Sequence, residues 1–237
     1  MFKKLLFFTL LLISTSAQSQ NITARSWLVT NGNGEKIQGE NYKEVRSIAS
    51  ITKLMTAMVV IDAGQNLDQK IGQFTRAQHI QMALVGSNNQ SSILLCDHYP
   101  GGKSQCIHDM NTKAEAIRMK NTKFVEASGL SPMNISTAED LVQLVLAASY
   151  YPQIQLASQT PVIQIKIQKR WFFFKNTNPS IGHRHNFLVS KTGWTTPAGG
   201  CIVMMLDTEV GKRVVIVLGS KNTKTRIPEA ELIATYD

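Results

Sequence analysis

The sequence predicts an α/β protein of the α+β type, with one antiparallel sheet flanked by helices and a mostly helical subdomain inserted at about residues 65–160. Three observations predict it. A hairpin pattern opens the chain after its first twenty residues. Helical periodicity then dominates to about residue 160. The last third turns β-rich, with short turns, and closes on one helix.

Each element has a local reason. "SWLVTNGNGEKIQGEN" places apolar runs on either side of "NGNG", a strong hairpin signal. In "RSIASITKLMTAMVV", Ile51, Leu54, Met55, Met58 and Val59 recur at helical spacing and Gly64 follows as a stop, which predicts an amphipathic helix. Residues 75–86 are expected to be helical until "GSNNQ" breaks the pattern, and 91–98 and 103–119 are expected as helices around "YPGG". "STAEDLVQLVLAASYY" predicts a helix with Ser136 at its cap and Glu139 completing a capping box. "VIQIKIQ", "NFLVSKTGW", "CIVMMLDT" and "RVVIVLG" predict strands, and "KRWFFFK" a strand edge or hairpin. "PEAELIATY" predicts the closing helix, with Pro228 suited to a first turn.

Composition narrows the function class. The 237 residues are 43% hydrophobic and 17% charged, enough apolar residues for a proper core and too few charges for a disordered tail protein. "MFKK" followed by the apolar run "LLFFTLLLI" and the small, polar "STSAQSQ" predicts a secretory signal peptide over 1–19, cleaved near residues 17–19; the alternative is an uncleaved N-terminal anchor. The run is too short for a spanning helix, and no later run approaches that length, so no transmembrane helix is expected in the mature chain. Export to the periplasm or the extracellular space follows. The net charge of +9 suits anionic surfaces without choosing among them, and no interleaving of aromatic and basic residues marks a nucleic-acid module. Cys96 and Cys106 bracket a turn-rich loop and read either as a disulfide or as two buried thiols, leaving Cys201 in an apolar strand. The five histidines show no metal spacing, and His183-Arg184-His185 reads as a surface loop, so no metal is expected.

Three short motifs carry the chemistry: Ser50-Ile51-Thr52-Lys53, Ser87-Asn88-Asn89 and Lys191-Thr192-Gly193. Positions i and i+3 share a helix face, so Lys53 can reach the Ser50 hydroxyl. That hydroxyl is a weak nucleophile until a base takes its proton, and lysine is a base only when burial or nearby positive charge makes it partly neutral. Lys191 is expected to provide that charge. Ser87 is a candidate proton relay and Asn89 a candidate to orient Lys53. Lys191 and Thr192 are suited to a substrate carboxylate, and Gly193 to close backbone approach. Each motif alone favours a bland reading as cap, surface charge or loop. Their order does not: one starts a helix, one sits in a loop between helices, and one ends a strand.

With these residues in place, the chain resembles the low-molecular-weight penicillin-binding proteins, the serine D-alanyl-D-alanine carboxypeptidases and endopeptidases. The resemblance covers nearly all of the mature chain, through "ASITKLMTAMVV", "MALVGSNNQSS", "MNTKAEAIRMKNTKFVEASGLSPMNISTAEDLVQL", "NTNPS", "KTGWTTPAGGCIVMML" and "VVIVLGSKNTKTR". It implies a β-lactamase/transpeptidase-like fold with the site in a cleft between sheet and helical subdomain. Ser50 would be the nucleophile and Lys53 the base, with Ser87 and Asn89 on one wall and Lys191 on the other. The backbone N–H groups of Ser50 and Trp194 would form the oxyanion hole. The implied substrate is a peptidoglycan stem peptide with D-Ala at the cleaved bond, β-lactams are the implied covalent inhibitors, and no cofactor is implied. Gln90 departs from the acidic residue usual in the family at that position. The chain stops soon after the final core helix, without the family's C-terminal β domain or anchor. A single domain over 20–237 is therefore expected, more like the endopeptidase branch. Two rivals share the motifs: a β-lactamase, which would need Glu126 or Glu139 to activate a deacylating water, and a non-catalytic β-lactam-sensing or wall-binding module. Lys53→Ala is expected to fold normally, because that truncation would open no large cavity.

Overall fold

The computed structural model describes residues 22–183 and 185–237; the expected signal segment and Arg184 lie outside them. The chain opens with β1 (Ser26–Asn31) and β2 (Lys36–Glu40), the hairpin expected around "NGNG". Asn31 organises its turn, since its side-chain oxygen accepts from the backbone N–H groups of Asn33 and Glu35, both at 3.0 Å. After β3 (Arg46–Ser47), a 3-10 turn at Ala49–Ile51 feeds α1 (Thr52–Asp62). The short pair β4 (Lys70–Ile71) and β5 (Phe74–Thr75) leads into α2 (Arg76–Leu84), then α3 (Asn89–Asp97) and α4 (Gly102–Ala116). A disulfide joins Cys96 on α3 to Cys106 on α4, with Cα atoms 5.4 Å apart, and Cys201 is a buried free thiol. The chain continues through β6 (Ile135–Ser136), α5 (Ala138–Ala148), α6 (Pro152–Gln159) and the hairpin of β7 (Val162–Ile167) and β8 (Arg170–Lys175). It ends with β9 (Phe187–Thr195), β10 (Gly199–Thr208), β11 (Gly211–Ser220) and α7 (Arg226–Ile233).

The main sheet has five antiparallel strands in the order β2-β1-β11-β10-β9, so the first hairpin pairs with the last strand and β9 is an outer edge. Side chains alternate between two faces along each strand. On one face Leu28, Val203, Met205, Val214, Ile216 and Leu218 pack with α1 and α5; on the other Trp27, Val29, Ile202, Met204, Val215 and Val217 pack under Ile227, Ala230 and Ile233 of α7. Helices on both faces explain why "CIVMMLDT" and "RVVIVLG" read as unbroken apolar runs rather than as an alternation.

Two local expectations are corrected. The helix α1 is not amphipathic: every residue from Thr52 to Val60 is buried, because α2, α3, α4 and α5 enclose it. The cap of α5 is Thr137, whose hydroxyl accepts from Asp140 N at 3.0 Å. Ser136 instead pairs with Arg46 in the β3–β6 ladder, which removes it from capping, and Glu139 stands exposed. A capping box does occur, at Thr75 and Gln78 on α2.

Candidate active site

The nucleophile candidate sits on a tight, strained turn. Ala49 has a φ of 46°, rarely adopted by a residue with a β-carbon, and the 3-10 turn that follows leaves Ser50 half-buried ahead of α1. Thr52 Oγ1 ties the turn by donating to Ala49 O at 2.8 Å. One helical step on, Lys53 Nζ donates to Ser50 Oγ at 2.7 Å, to Asn89 Oδ1 at 2.8 Å and to Ser128 O at 2.5 Å. The lysine is wholly buried, and burial lowers its pKa to about 7, with the Glu126 carboxylate acting in the opposite direction.

The second motif lies between α2 and α3. Asn88 caps α3 by accepting from Ser91 N at 2.8 Å, so Asn89 is that helix's first residue rather than a loop residue. Ser87 has a φ of 54°. Its Oγ accepts from Lys191 Nζ at 2.9 Å, which also donates to Thr192 O at 2.8 Å. Lys191 lies in the middle of β9, not at a strand end, because pairing with β10 continues through Thr195. Burial first, then the charges of Lys53 and Arg226, holds its pKa well below the usual lysine range. The expected direction of influence is therefore reversed. Burial, not Lys191, depresses Lys53, and the like-charge effect falls on Lys191.

The edge position of β9 brings the third motif against the nucleophile. A β-carbon on Gly193 would stand 3.0 Å from Ser50 N and 3.1 Å from Ile48 O, so any other residue would have to push the nucleophile turn away from the strand by a few tenths of an ångström. Arg226 Nη1 donates to Gly193 O at 2.7 Å, and Thr192 Oγ1 donates to Thr177 Oγ1 at 2.6 Å. Trp194 follows on the same edge with its side chain half exposed. Ser50, Lys53, Ser87, Asn89, Lys191, Thr192 and Gly193 thus meet in one constellation drawn from α1, the α2–α3 junction and β9.

Sequence reasoning considered the segment 126–134 only through Glu126, as the glutamate a β-lactamase would need, and missed that it closes the back of the site. Glu126 accepts at Oε2 from Ser128 N at 2.7 Å and at Oε1 from Gly129 N at 2.5 Å. Asn134 Nδ2 donates to Thr52 Oγ1 at 3.0 Å, joining this loop to the nucleophile turn. The loop presents the Ser128 carbonyl to Lys53 and packs Gly129, with φ of 82°, on the Ala49–Ser50 peptide. A β-carbon there would lie 1.9 Å from Ala49 O, so Gly129→Ala must displace the turn that carries Ser50. A displacement near 1 Å costs on the order of 100-fold in rate. We expect that loss in acylation by a fluorescent penicillin; an unchanged rate in a folded variant refutes this role.

Among the described residues no group of three or more His, Cys, Asp or Glu side chains converges to hold a metal, and no helix is long and apolar enough to cross a membrane.

Comparison with known proteins follows the same lines. A model of a family described as D-alanyl-D-alanine carboxypeptidase matches residues 13–76 and 68–222. The chain is 36% identical to a D-alanyl-D-alanine endopeptidase of Pseudomonas aeruginosa, covering 89% of this chain and 76% of that protein. It is 33% identical to a D-alanyl-D-alanine endopeptidase of Escherichia coli, covering 94% of this chain and 80% of that protein. Among solved structures, penicillin-binding protein D2 of Listeria monocytogenes in its ampicillin-bound form superposes with a TM-score of 0.81 at 25% identity, covering 90% of this chain and 96% of that one. A Streptomyces DD-transpeptidase gives 0.84 at 23% identity over 91% and 97%, a likeness of fold.

Proposed function

The chain belongs to the D-alanyl-D-alanine carboxypeptidase family of serine peptidases, and from that premise we propose that it is an exported endopeptidase that cuts D-Ala cross-links in peptidoglycan through an acyl-enzyme at Ser50. The observation that carries the chemistry is the contact of Lys53 Nζ with Ser50 Oγ at 2.7 Å, made by a lysine whose pKa burial lowers to about 7. A substantial fraction of such a lysine is neutral at neutral pH and able to accept a proton.

The reaction runs in two halves. Ser50 Oγ attacks the D-Ala carbonyl while its proton passes to Lys53. The negative charge developing on the carbonyl oxygen meets the N–H groups of Ser50 and Trp194, whose approach Gly193 allows. Ser87, already bonded to Lys191, gives a proton to the leaving amine as the C–N bond breaks and regains one through the lysines. An arriving substrate carboxylate favours the charged form of Lys191 and binds there with Thr192. Water then attacks the acyl carbonyl while Lys53 takes its proton, and Lys53 passes that proton to Ser50 Oγ as the ester C–O bond breaks and the product carboxylic acid leaves. β-Lactams enter by the same acylation.

The choice of cross-link over terminal D-Ala rests on the names of the two relatives above. Export rests on the N-terminal pattern of charge, apolar run and small residues, and 20–237 is read as the catalytic domain. Neither glutamate a β-lactamase would need is available: the Glu126 carboxylate is taken up by its own loop, and Glu139 stands exposed on α5. Incubation of residues 20–237 with isolated peptidoglycan, followed by separation of muropeptides, tests the reading. Conversion of cross-linked dimers to monomers is expected; release of terminal D-Ala with dimers intact would make it a carboxypeptidase instead.

A further inference from the structure

We infer that the outer face of the β7–β8 hairpin is a docking platform for polymeric peptidoglycan, gripping sugar rings and stem-peptide carboxylates beside the cleft. This rests on the reading of the cleft given above. The segment 162–175 carries four cations, Lys166, Lys169, Arg170 and Lys175, and no acidic residue. Its inner face is accounted for: Ile163 and Ile165 are buried, and Phe172 stacks edge-on against Phe74 with centroids 5.3 Å apart. Among the described residues nothing covers its outer face. Trp171 is 53% exposed and Phe173 60%, values far above what packing or folding requires of such side chains.

The register shows what this face suits. Its three cross-strand pairs are Val162 with Lys175, Gln164 with Phe173, and Lys166 with Trp171. Each pair sets one apolar side chain opposite one polar or charged one, and Lys166 Nζ lies 5.5 Å from the Trp171 ring centroid. Along β8 the Trp171 and Phe173 rings lie side by side with centroids 6.4 Å apart, and Lys166 and Lys175 rim this short aromatic strip. The face suits a ligand that is itself mixed, with flat saturated rings for the aromatics and carboxylates for the lysines. Peptidoglycan has both.

Position argues the same way. A β-carbon on Gly86, next to Ser87, would stand 3.1 Å from Phe174 Cβ. Two residues after Lys175, Thr177 N donates to Val85 O at 3.2 Å and the Thr177 hydroxyl accepts from Thr192 Oγ1. The hairpin is therefore rooted between the second and third motifs. A strand held on it is tethered near Ser50, which raises the local concentration of cleavable bonds.

The test compares wild type with Trp171→Ala/Phe173→Ala and with Lys166→Gln/Lys175→Gln. Sedimentation with purified sacculi reads binding, and labelled penicillin reads the cleft. Both variants are expected to lose about tenfold or more in sacculus affinity. Turnover of sacculi should fall in step, while penicillin acylation and cleavage of a soluble muropeptide dimer stay within about twofold of wild type. Wild-type binding should also weaken as salt rises. Unchanged sacculus binding in both variants overturns the platform. So does a loss confined to anionic phospholipid vesicles, which would assign the face to a membrane surface. If wild type cuts no cross-link yet sediments through these residues, the reading of the cleft fails and the platform stands.

Discussion

Ser50→Ala is expected to abolish covalent labelling by penicillin and to lower peptidoglycan cleavage by on the order of 10⁴-fold or more, since the residues of such a unit act together. The substitution removes one oxygen from a half-buried residue and leaves the turn's other ties in place, including Thr52 Oγ1 to Ala49 O at 2.8 Å. Lys53 keeps Asn89 Oδ1 and Ser128 O as acceptors. The variant should therefore fold and melt close to wild type, so that lost activity reads as lost chemistry. Gel fluorescence after incubation with labelled penicillin checks it, together with mass spectrometry of the intact protein. A stoichiometric mass increase in Ser50→Ala would overturn the assignment of the nucleophile.

The second large effect is expected at Lys53, and the structure changes how to measure it. Truncation to alanine is not the benign change expected from the sequence. Lys53 has no exposure, so Lys53→Ala leaves a hole in the centre of the molecule and deprives Asn89 and Ser128 of a donor. Lys53→Met fills most of the same volume without a titrating group and is the better variant. Acylation by penicillin in Lys53→Met should fall by roughly 10²–10⁴-fold, the usual contribution of a positioned base. The pH profile separates this from a structural loss. The active form of Lys53 is neutral and its pKa is about 7, so the wild-type acylation rate rises with pH through that region and is lost below it. In Lys53→Met that rise disappears. A variant that acylates near the wild-type rate, or that keeps the same inflection near pH 7, rules Lys53 out as the base.

Both expectations depend on burial, which a motif does not encode. Ser-x-x-Lys specifies an i, i+3 relation, and helical geometry alone then puts amine and hydroxyl within reach. It does not say on which side of the helix water lies. The apolar residues around Lys53 suggested a helix with one wet edge. The helices α2, α3, α4 and α5 leave α1 none, and the resulting desolvation lowers the lysine's pKa. Lys191 was expected to do that work by charge. Lys191 is itself buried, and desolvation, with the charges of Lys53 and Arg226 added, holds its own pKa well below the usual lysine range.

Other differences have equally local causes. Ser136 and Thr137 are both good caps in isolation, and pairing of Ser136 with Arg46 across β3 and β6 decided between them. Cys96 and Cys106 stood open between bridge and free thiols until the packing of α3 on α4 brought their Cα atoms to 5.4 Å. Gly129 lay in a segment already similar to the family. Its reason, the approach to the Ala49–Ser50 peptide, is a contact across some eighty positions of chain that no local pattern reports.

By itself the sequence determined the element order, the antiparallel β-rich end, the helical middle and the three motifs. These follow from periodicity, turn chemistry and residue type, all of which act over a few neighbouring positions. Tertiary structure alone decided which motif residues meet and in what state of ionisation. Lys53 reaches Asn89 and Ser128, Lys191 reaches Ser87, and Gly193 lies against Ser50 because a closed core holds α1, the α2–α3 junction and β9 together. Desolvation and close backbone approach are properties of that assembled neighbourhood, and they turn a surface-like lysine on a helix into a candidate base.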